Sequence, residues 1–262
     1  MWRITTSLCI LLLASKARAQ ITLQPEVELG NQLMFCNEPA LSINPKNPHL
    51  QVVATNKNHV FFSRNGGRSY RHQRVESSLG VYGDPVLLYD DQENFYFVHL
   101  SNDKTKKWPE SFDQIVVQKS TNNGKSWNDG VGIGKNGKMQ DKPWISFDDN
   151  PSSPQYGNLY LTWTQFDRYE SKKPSDSSRI LFSCSKTRGE SFSTPQIISD
   201  RSGNCLDDDL TVEGATTCTG PQGQIYALWA GHEQLYLDCS RDGGQTWGTD
   251  HSILHTPEGW NL

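Results

Sequence analysis

Four short segments place a carboxylate just ahead of a strand-like apolar run: Glu38 in NEPAL, Asp84 in GDPVL, Asp141 in DKPWI and Glu213 in VEGAT. If the segments are equivalent, the four acids form a ring. Carboxyls brought together raise one another's pKa, which suits acid–base catalysis or the holding of a cation. The plainer chemistry is that each accepts backbone N–H bonds where a strand begins. The sequence leaves both readings open.

Other residues could share a site with this ring. Asn56, Lys57 and Asn58 lie in one polar loop, and Trp108, Arg168, Trp229 and Glu233 lie in loops of the same kind. Arg201 and the Asp207 to Asp209 run sit in a linker. Aromatic faces beside acids suit sugars, through ring stacking and hydroxyl hydrogen bonds. Tyr82, Trp144, Trp163 and Trp229 are the candidates, although core tryptophans are common. No cofactor or metal is expected. The Asp207 to Asp209 run offers oxygen ligands for Ca²⁺, against its commoner role as a solvated acidic loop.

The elements that position these residues come from a repeat. SRNGGRSY, STNNGKSW, SKTRGESF and SRDGGQTW share the pattern Ser-x-Asx-x-Gly-x-Ser/Thr-aromatic, with Thr187 at the Asx position of the third. They start at Ser63, Ser120, Ser185 and Ser240, so the spacings are 57, 65 and 55 residues. Near-even spacing marks a repeat architecture. The chemistry of each box is structural: Asn65, Asn122 and Asp242 can close a turn through side-chain bonds to backbone N–H groups. Gly67, Gly124, Gly189 and Gly244 supply the turn glycine, and Tyr70, Trp127, Phe192 and Trp247 bury a ring.

Each box follows a short strand (HVFF, QIVVQK, RILFSC, QLYLDC), and upstream lies a pair of alternating strands joined by a turn. The unit is strand, turn, strand, loop, strand, box, strand. Four antiparallel strands per unit, stacked radially, predict an all-β propeller of four-stranded blades. The expected blades are 37–76, 82–130, 140–198 and 210–255, after an extension over 20–36. The acids then fall on the face opposite the boxes.

The chain has 262 residues, 35% hydrophobic and 21% charged, which suits a large globular β domain. Residues 1–19 read as a signal peptide: Arg3, an apolar run over Leu8 to Ala14, and Ala17-Arg18-Ala19 before Gln20. The run is too short for a permanent transmembrane anchor. The expected location is secreted, periplasmic or cell-surface. Loss of Arg3, Lys16 and Arg18 takes the basic residues from 25 to 22 against 29 acids, so the net charge moves from −4 to −7. Such a chain is a poor nucleic-acid partner. Its cysteines show no zinc spacing.

The boxes resemble the Asp-boxes, or BNR repeats, of the sialidase superfamily, and GDPVLLYDDQENFYFVHL resembles the Asp-Pro inner strand of a sialidase second blade. The resemblance runs from Asn37 to the C-terminus. At the mean box spacing, six blades would need about 354 residues, so the four visible here are either a rare closed four-bladed ring or, as expected on closure grounds, part of a six-bladed propeller in a chain truncated at its C-terminus. The resemblance also implies a glycan as partner. Sialidases hold the substrate carboxylate with three arginines, use an Asp as general acid, and pair a Tyr nucleophile with a Glu. Glu213 resembles that Glu by position. Asn56 stands near the place of the acid, the Arg-Ile-Pro segment is absent, and no segment matches the Tyr. The expectation is a module that binds or processes glycans, with an active sialidase or related glycosidase as one alternative. A protein-interaction scaffold is the other.

Overall fold

The computed structural model describes residues 25–31 and 34–256. The signal-peptide reading and Gln20 lie outside the described residues. Among the described residues, sixteen strands form four antiparallel sheets, each a meander of four consecutive strands. The first blade holds β1 (Ala40–Ile43), β2 (Gln51–Ala54), β3 (His59–Ser63) and β4 (Arg71–Arg74). The second holds β5 (Val86–Tyr89), β6 (Phe95–Leu100), β7 (Ile115–Ser120) and β8 (Val131–Ile133). The third holds β9 (Met139–Phe147), β10 (Leu159–Phe166), β11 (Ser178–Ser185) and β12 (Gln196–Ile197). The fourth holds β13 (Glu213–Thr219), β14 (Ile225–Gly231), β15 (Gln234–Ser240) and β16 (His251–His255).

The core lies between blades. Val52, Ala54 and Val60 meet Phe95 and Phe97; Tyr96, Val98 and Val117 meet Ile145, Leu159 and Leu161; Tyr160, Ile180 and Phe182 meet Ile225, Ala227 and Trp229. Middle strands are therefore apolar on both faces, as in FYFVHL of β6, where every residue is buried. β1 packs on β5, β5 on β9 and β9 on β13, with no comparable packing of β13 on β1 among the described residues.

The boxes join the third and fourth strands of each blade through one hydrogen-bond pattern. The serine hydroxyl accepts the N–H two residues on and that of the box glycine: Ser63 serves Asn65 and Gly67, and Ser120 serves Asn122 and Gly124. Ser185 serves Thr187 and Gly189, and Ser240 serves Asp242 and Gly244. The Asx side chain then accepts the N–H four residues on, at Ser69, Ser126 and Thr246. Thr187 does the same for Ser191 with its hydroxyl, so the third box keeps the turn without an Asx. The rings follow: Trp127 packs edge-on to Phe97 at 5.8 Å and Trp247 to Phe182 at 4.9 Å.

Asp242 also accepts the Gln245 N–H at 2.9 Å and the Thr246 hydroxyl at 2.5 Å. The Thr246 bonds hold its carboxyl down at about 2. Asp242→Ala is expected to lower stability by about 1 kcal/mol, from lost turn bonds. The wild-type advantage should be full above pH ~4, the unfolded range, and should vanish as pH falls through about 2. Urea denaturation of both proteins at pH 7 and at low pH checks the size and the direction.

Candidate active site

The blades enter their first strands through one backbone conformation. Glu38, Asp84 and Lys142 have φ of 49°, 53° and 46°, and Gly214 has 72°. Pro39, Pro85 and Pro143 follow the first three. A left-handed residue other than glycine costs of order 1–3 kcal/mol, and such strain gathers at functional sites. Gly214 shows that glycine fits here, yet three blades keep charged side chains.

This conformation corrects the expected ring. Glu38 and Asp84 hold the left-handed position, whereas Asp141 and Glu213 stand one residue before it. The fourfold equivalence therefore belongs to Glu38, Asp84, Lys142 and Gly214. Lys142 was missed by sequence reasoning; aligning the three prolines would have found it. Glu38 and Asp84 do accept backbone N–H bonds, but from the next blade. Glu38 Oε2 takes the Asp84 N–H at 3.3 Å, and Asp84 Oδ2 takes the Lys142 N–H at 3.1 Å.

Asp141 and Glu213 are buried, 6% and 2% exposed. The Lys142 ammonium lies 3.8 Å from Asp141 Oδ2 and 3.4 Å from Glu213 Oε2. Burial works to lower the Lys142 pKa, but Asp141 and Glu213 outweigh it and hold the group above the ordinary lysine range. Burial, then the charge of Asp84 and a hydrogen bond with it, push Asp141 well above the carboxylate range against Lys142. Burial pushes Glu213 up to about 7; Lys142 opposes this, and neighbouring Asp207 adds to it. The Glu213 oxygens have no well-aligned hydrogen-bond donor among the described residues, only the Lys142 ammonium at 3.4 Å. Two carboxyls that meet are both acceptors until one is protonated, and the neighbouring Asp207 favours the protonated form of Glu213.

Asp207 in turn accepts the Tyr169 hydroxyl at 2.6 Å. Burial, and then that bond, raise the Tyr169 phenol. Trp108, 58% exposed, stands edge-on to Tyr169 with ring centres 5.9 Å apart. Below these groups runs a groove of about 370 Å³ lined by Glu38, Asp84, Lys142, Trp144, Gly214 and Thr216 among others. Trp144 is 40% exposed there. A Cβ on Gly214 would meet nothing within 4 Å, so space opens directly beside Glu213.

The remaining candidates go elsewhere. Trp229 is 1% exposed, packed between the third and fourth blades, and is out of reach of a ligand. Trp163 is likewise buried, its indole N–H on Gln140 at 2.7 Å, and Tyr82 packs on Phe112. Asn56 accepts the Asn37 N–H at 3.2 Å and donates its own to the Asn37 carbonyl at 3.0 Å, fastening the entrance of β1. Arg168 is exposed on the β10–β11 loop. Arg201 lines a separate hollow with Lys172, Lys173 and His232. The Glu233 N–H donates to the Asp209 carbonyl and the Glu233 carbonyl accepts from Thr256. Asp208 accepts from Leu210 and Asn204 within its own turn.

The Glu213 shift has a consequence for stability. Between pH 4.5 and about 7 the folded chain keeps a proton that the unfolded chain has lost. Stability therefore falls as pH rises through this window, by about 3 kcal/mol at ~1.4 kcal/mol per unit. Glu213→Gln should flatten this slope, leaving the share of Asp141, which burial raises as well, and should be the more stable protein above pH 7. Denaturation curves at pH 4.5, 6 and 7.5 compare the two.

The fold is that of the sialidase-like β-propellers. Sialidase structures match over most of this chain. The Hadza microbial sialidase Hz136 is 17% identical with a TM-score of 0.54, covering 83% of this chain and 46% of its own. The leech intramolecular trans-sialidase is 12% identical with a TM-score of 0.53, covering 82% and 50%. A thermostable family-43 glycoside hydrolase is 12% identical at 0.51, covering 83% and 72%. The chain thus spans about half the length of the two sialidases. No family model matches the sequence, and no curated protein is similar to it in sequence. No helix of the described residues is long and apolar enough to cross a membrane.

Proposed function

We propose that this chain binds and processes glycans at the acid-lined mouth of its channel, outside the cytoplasm, with Glu213 transferring the proton and neutral sugars as substrates. One observation carries the reading: a buried carboxyl, raised to about 7, sits beside an open gap at Gly214. A general acid or base works best with a pKa near the working pH, and glycoside hydrolysis uses a raised carboxyl as proton donor. The other carboxyls of the mouth supply candidates for the second role: Glu38, Asp84, Asp141 and Asp207. Trp144 and Trp108 offer exposed rings for stacking. The names of the sialidases and the glycoside hydrolase of like fold are in keeping with a glycan ligand.

Charge favours a neutral sugar. Four carboxyl groups, Asp84, Asp141, Asp207 and Glu213, act on one cation, Lys142, which Asp141 and Glu213 already share. No arginine is among the residues lining the groove. A sugar carboxylate would meet repulsion without the bidentate clamp that anions need. The test is a panel of fluorogenic glycosides on the purified chain. Turnover of a neutral glycoside with none of a sialoside is expected. Preferential turnover of the sialoside would overturn the assignment of substrate. Binding without turnover would remove the catalytic role of Glu213 and leave a glycan-binding module.

A further inference from the structure

A second hollow lies apart from the groove of the mouth, between the first and second blades. It measures about 660 Å³, within the usual range of small-ligand pockets. Its walls come from the β2–β3 loop at Asn58, the 75–81 linker between the blades and residues 102–105 of the β6–β7 loop. These walls are fastened. The Ser77 hydroxyl donates to the Asp129 carbonyl at 2.7 Å and the Ser78 N–H to the Asp129 carboxylate at 2.6 Å, which ties the linker to the second blade. Gly80, with φ of 76°, lets the linker pass so close to Asn102 that a Cβ there would overlap the Asn102 carbonyl.

Three amide side chains line this space, those of Asn58, Asn102 and Gln114, and none of them makes a hydrogen bond among the described residues. Gln114 is the telling one, because it is only 6% exposed. Its backbone is fixed on Ser101: the Gln114 N–H donates to the Ser101 hydroxyl at 3.2 Å, and the Gln114 carbonyl accepts the Ser101 N–H at 3.0 Å. Its amide lies over Gly132, where a Cβ would overlap Gln114 Oε1. A buried amide without a partner is costly and calls for an explanation. An amide sets a donor beside an acceptor, which matches the adjacent hydroxyls of a sugar. Glu76 and Asp103 balance Lys104 and Lys135 around the hollow, so the space suits a neutral ligand, and Val75, Leu79 and Val81 give it an apolar wall for a C–H face.

We propose that this hollow is a second sugar-binding site, which holds a neutral sugar through the side-chain amides of Gln114, Asn102 and Asn58. The choice of a sugar among neutral hydrogen-bonding ligands rests on the glycan reading of the mouth. The two sites share their supports. Trp108, in the same β6–β7 loop as Asn102, stands beside Tyr169 at the mouth, and the 75–81 linker runs on to Asp84. One glycan chain can therefore engage both, with the hollow holding a unit remote from the one beside Glu213.

NMR titration of the ¹⁵N-labelled chain with glucose, galactose, mannose, xylose and N-acetylglucosamine, each to about 100 mM so that millimolar binding saturates, tests this. At least one of these sugars is expected to shift the side-chain amide signals of Gln114 and Asn102. Gln114→Leu should weaken that binding by about tenfold, the worth of the lost hydrogen bonds. Gly132→Ala should weaken it as much by displacing the Gln114 amide from the exposed face of β8, and it serves alone if Gln114→Leu fails to fold. No shift at these amides with any of the sugars would overturn the proposal, as would equal affinity in wild type and variants. Stronger shifts with inorganic sulfate would overturn it in favour of an anion site at Lys104 and Lys135. Shifts at the Trp144 indole alone would overturn it while the reading of the mouth stands. Shifts at Gln114 and Asn102 without any at Trp144 would uphold the hollow and count against the mouth.

Discussion

Glu213→Gln should lower kcat on a neutral aryl glycoside by about 10²–10⁴-fold, the usual worth of general acid–base catalysis, while leaving KM nearly unchanged. The amide keeps the size of the carboxyl and can still face Asp207, but it cannot exchange a proton. The pH profile gives an independent reading. Burial and Asp207 place the wild-type group at about 7, so kcat/KM should bend near that pH if Glu213 acts as acid or base. The variant's residual rate should lose that bend. A variant with unaltered kcat would remove Glu213 from the chemistry and leave Asp141, the other buried carboxyl beside Lys142, as the group to substitute.

Gly244→Ala should cost about 3 kcal/mol, enough to lower the melting temperature by several degrees. Two effects add. The residue has φ of 86°, a conformation that costs alanine about 1–2 kcal/mol. The new Cβ would also press on the ring of Phe182, which is 1% exposed in the third-to-fourth blade interface. Overpacking of this sort costs about 1–3 kcal/mol. Gly214→Ala separates the two: its φ is 72°, but its Cβ meets nothing within 4 Å. It should lose only the conformational part. Calorimetry of both variants checks the difference, and equal losses would show that the box glycine is not an interlock between blades.

The boxes and strands were legible because their signals are local. Ser63, Asn65 and Gly67 make a turn within themselves, and the same types recur at Ser120, Ser185 and Ser240. Alternation and turn residues then assigned the strands between. The mouth was half legible. An acid stands before each inner strand, but which of two adjacent residues takes the left-handed position depends on the backbone. Pro39, Pro85 and Pro143 carried that register, and it places Lys142 rather than Asp141 in the ring. Trp229 was misread because a tryptophan near a loop looks the same in sequence whether it faces solvent or the next blade; its partners, Tyr160 and Phe182, come from some 50 to 70 residues away. The Glu213–Asp207 contact was hidden for the same reason, since the loop that carries Asp207 is placed by packing that no local pattern encodes.

Crystals of Glu213→Gln soaked with a neutral oligosaccharide test the central claim most directly, because the variant should hold the sugar without consuming it. Expected is a sugar ring on Trp144 or Trp108, with its glycosidic oxygen within hydrogen-bond reach of the substituted amide, in the space beside Gly214. A sugar bound on the box face, or none at the mouth at saturating concentration, would contradict it.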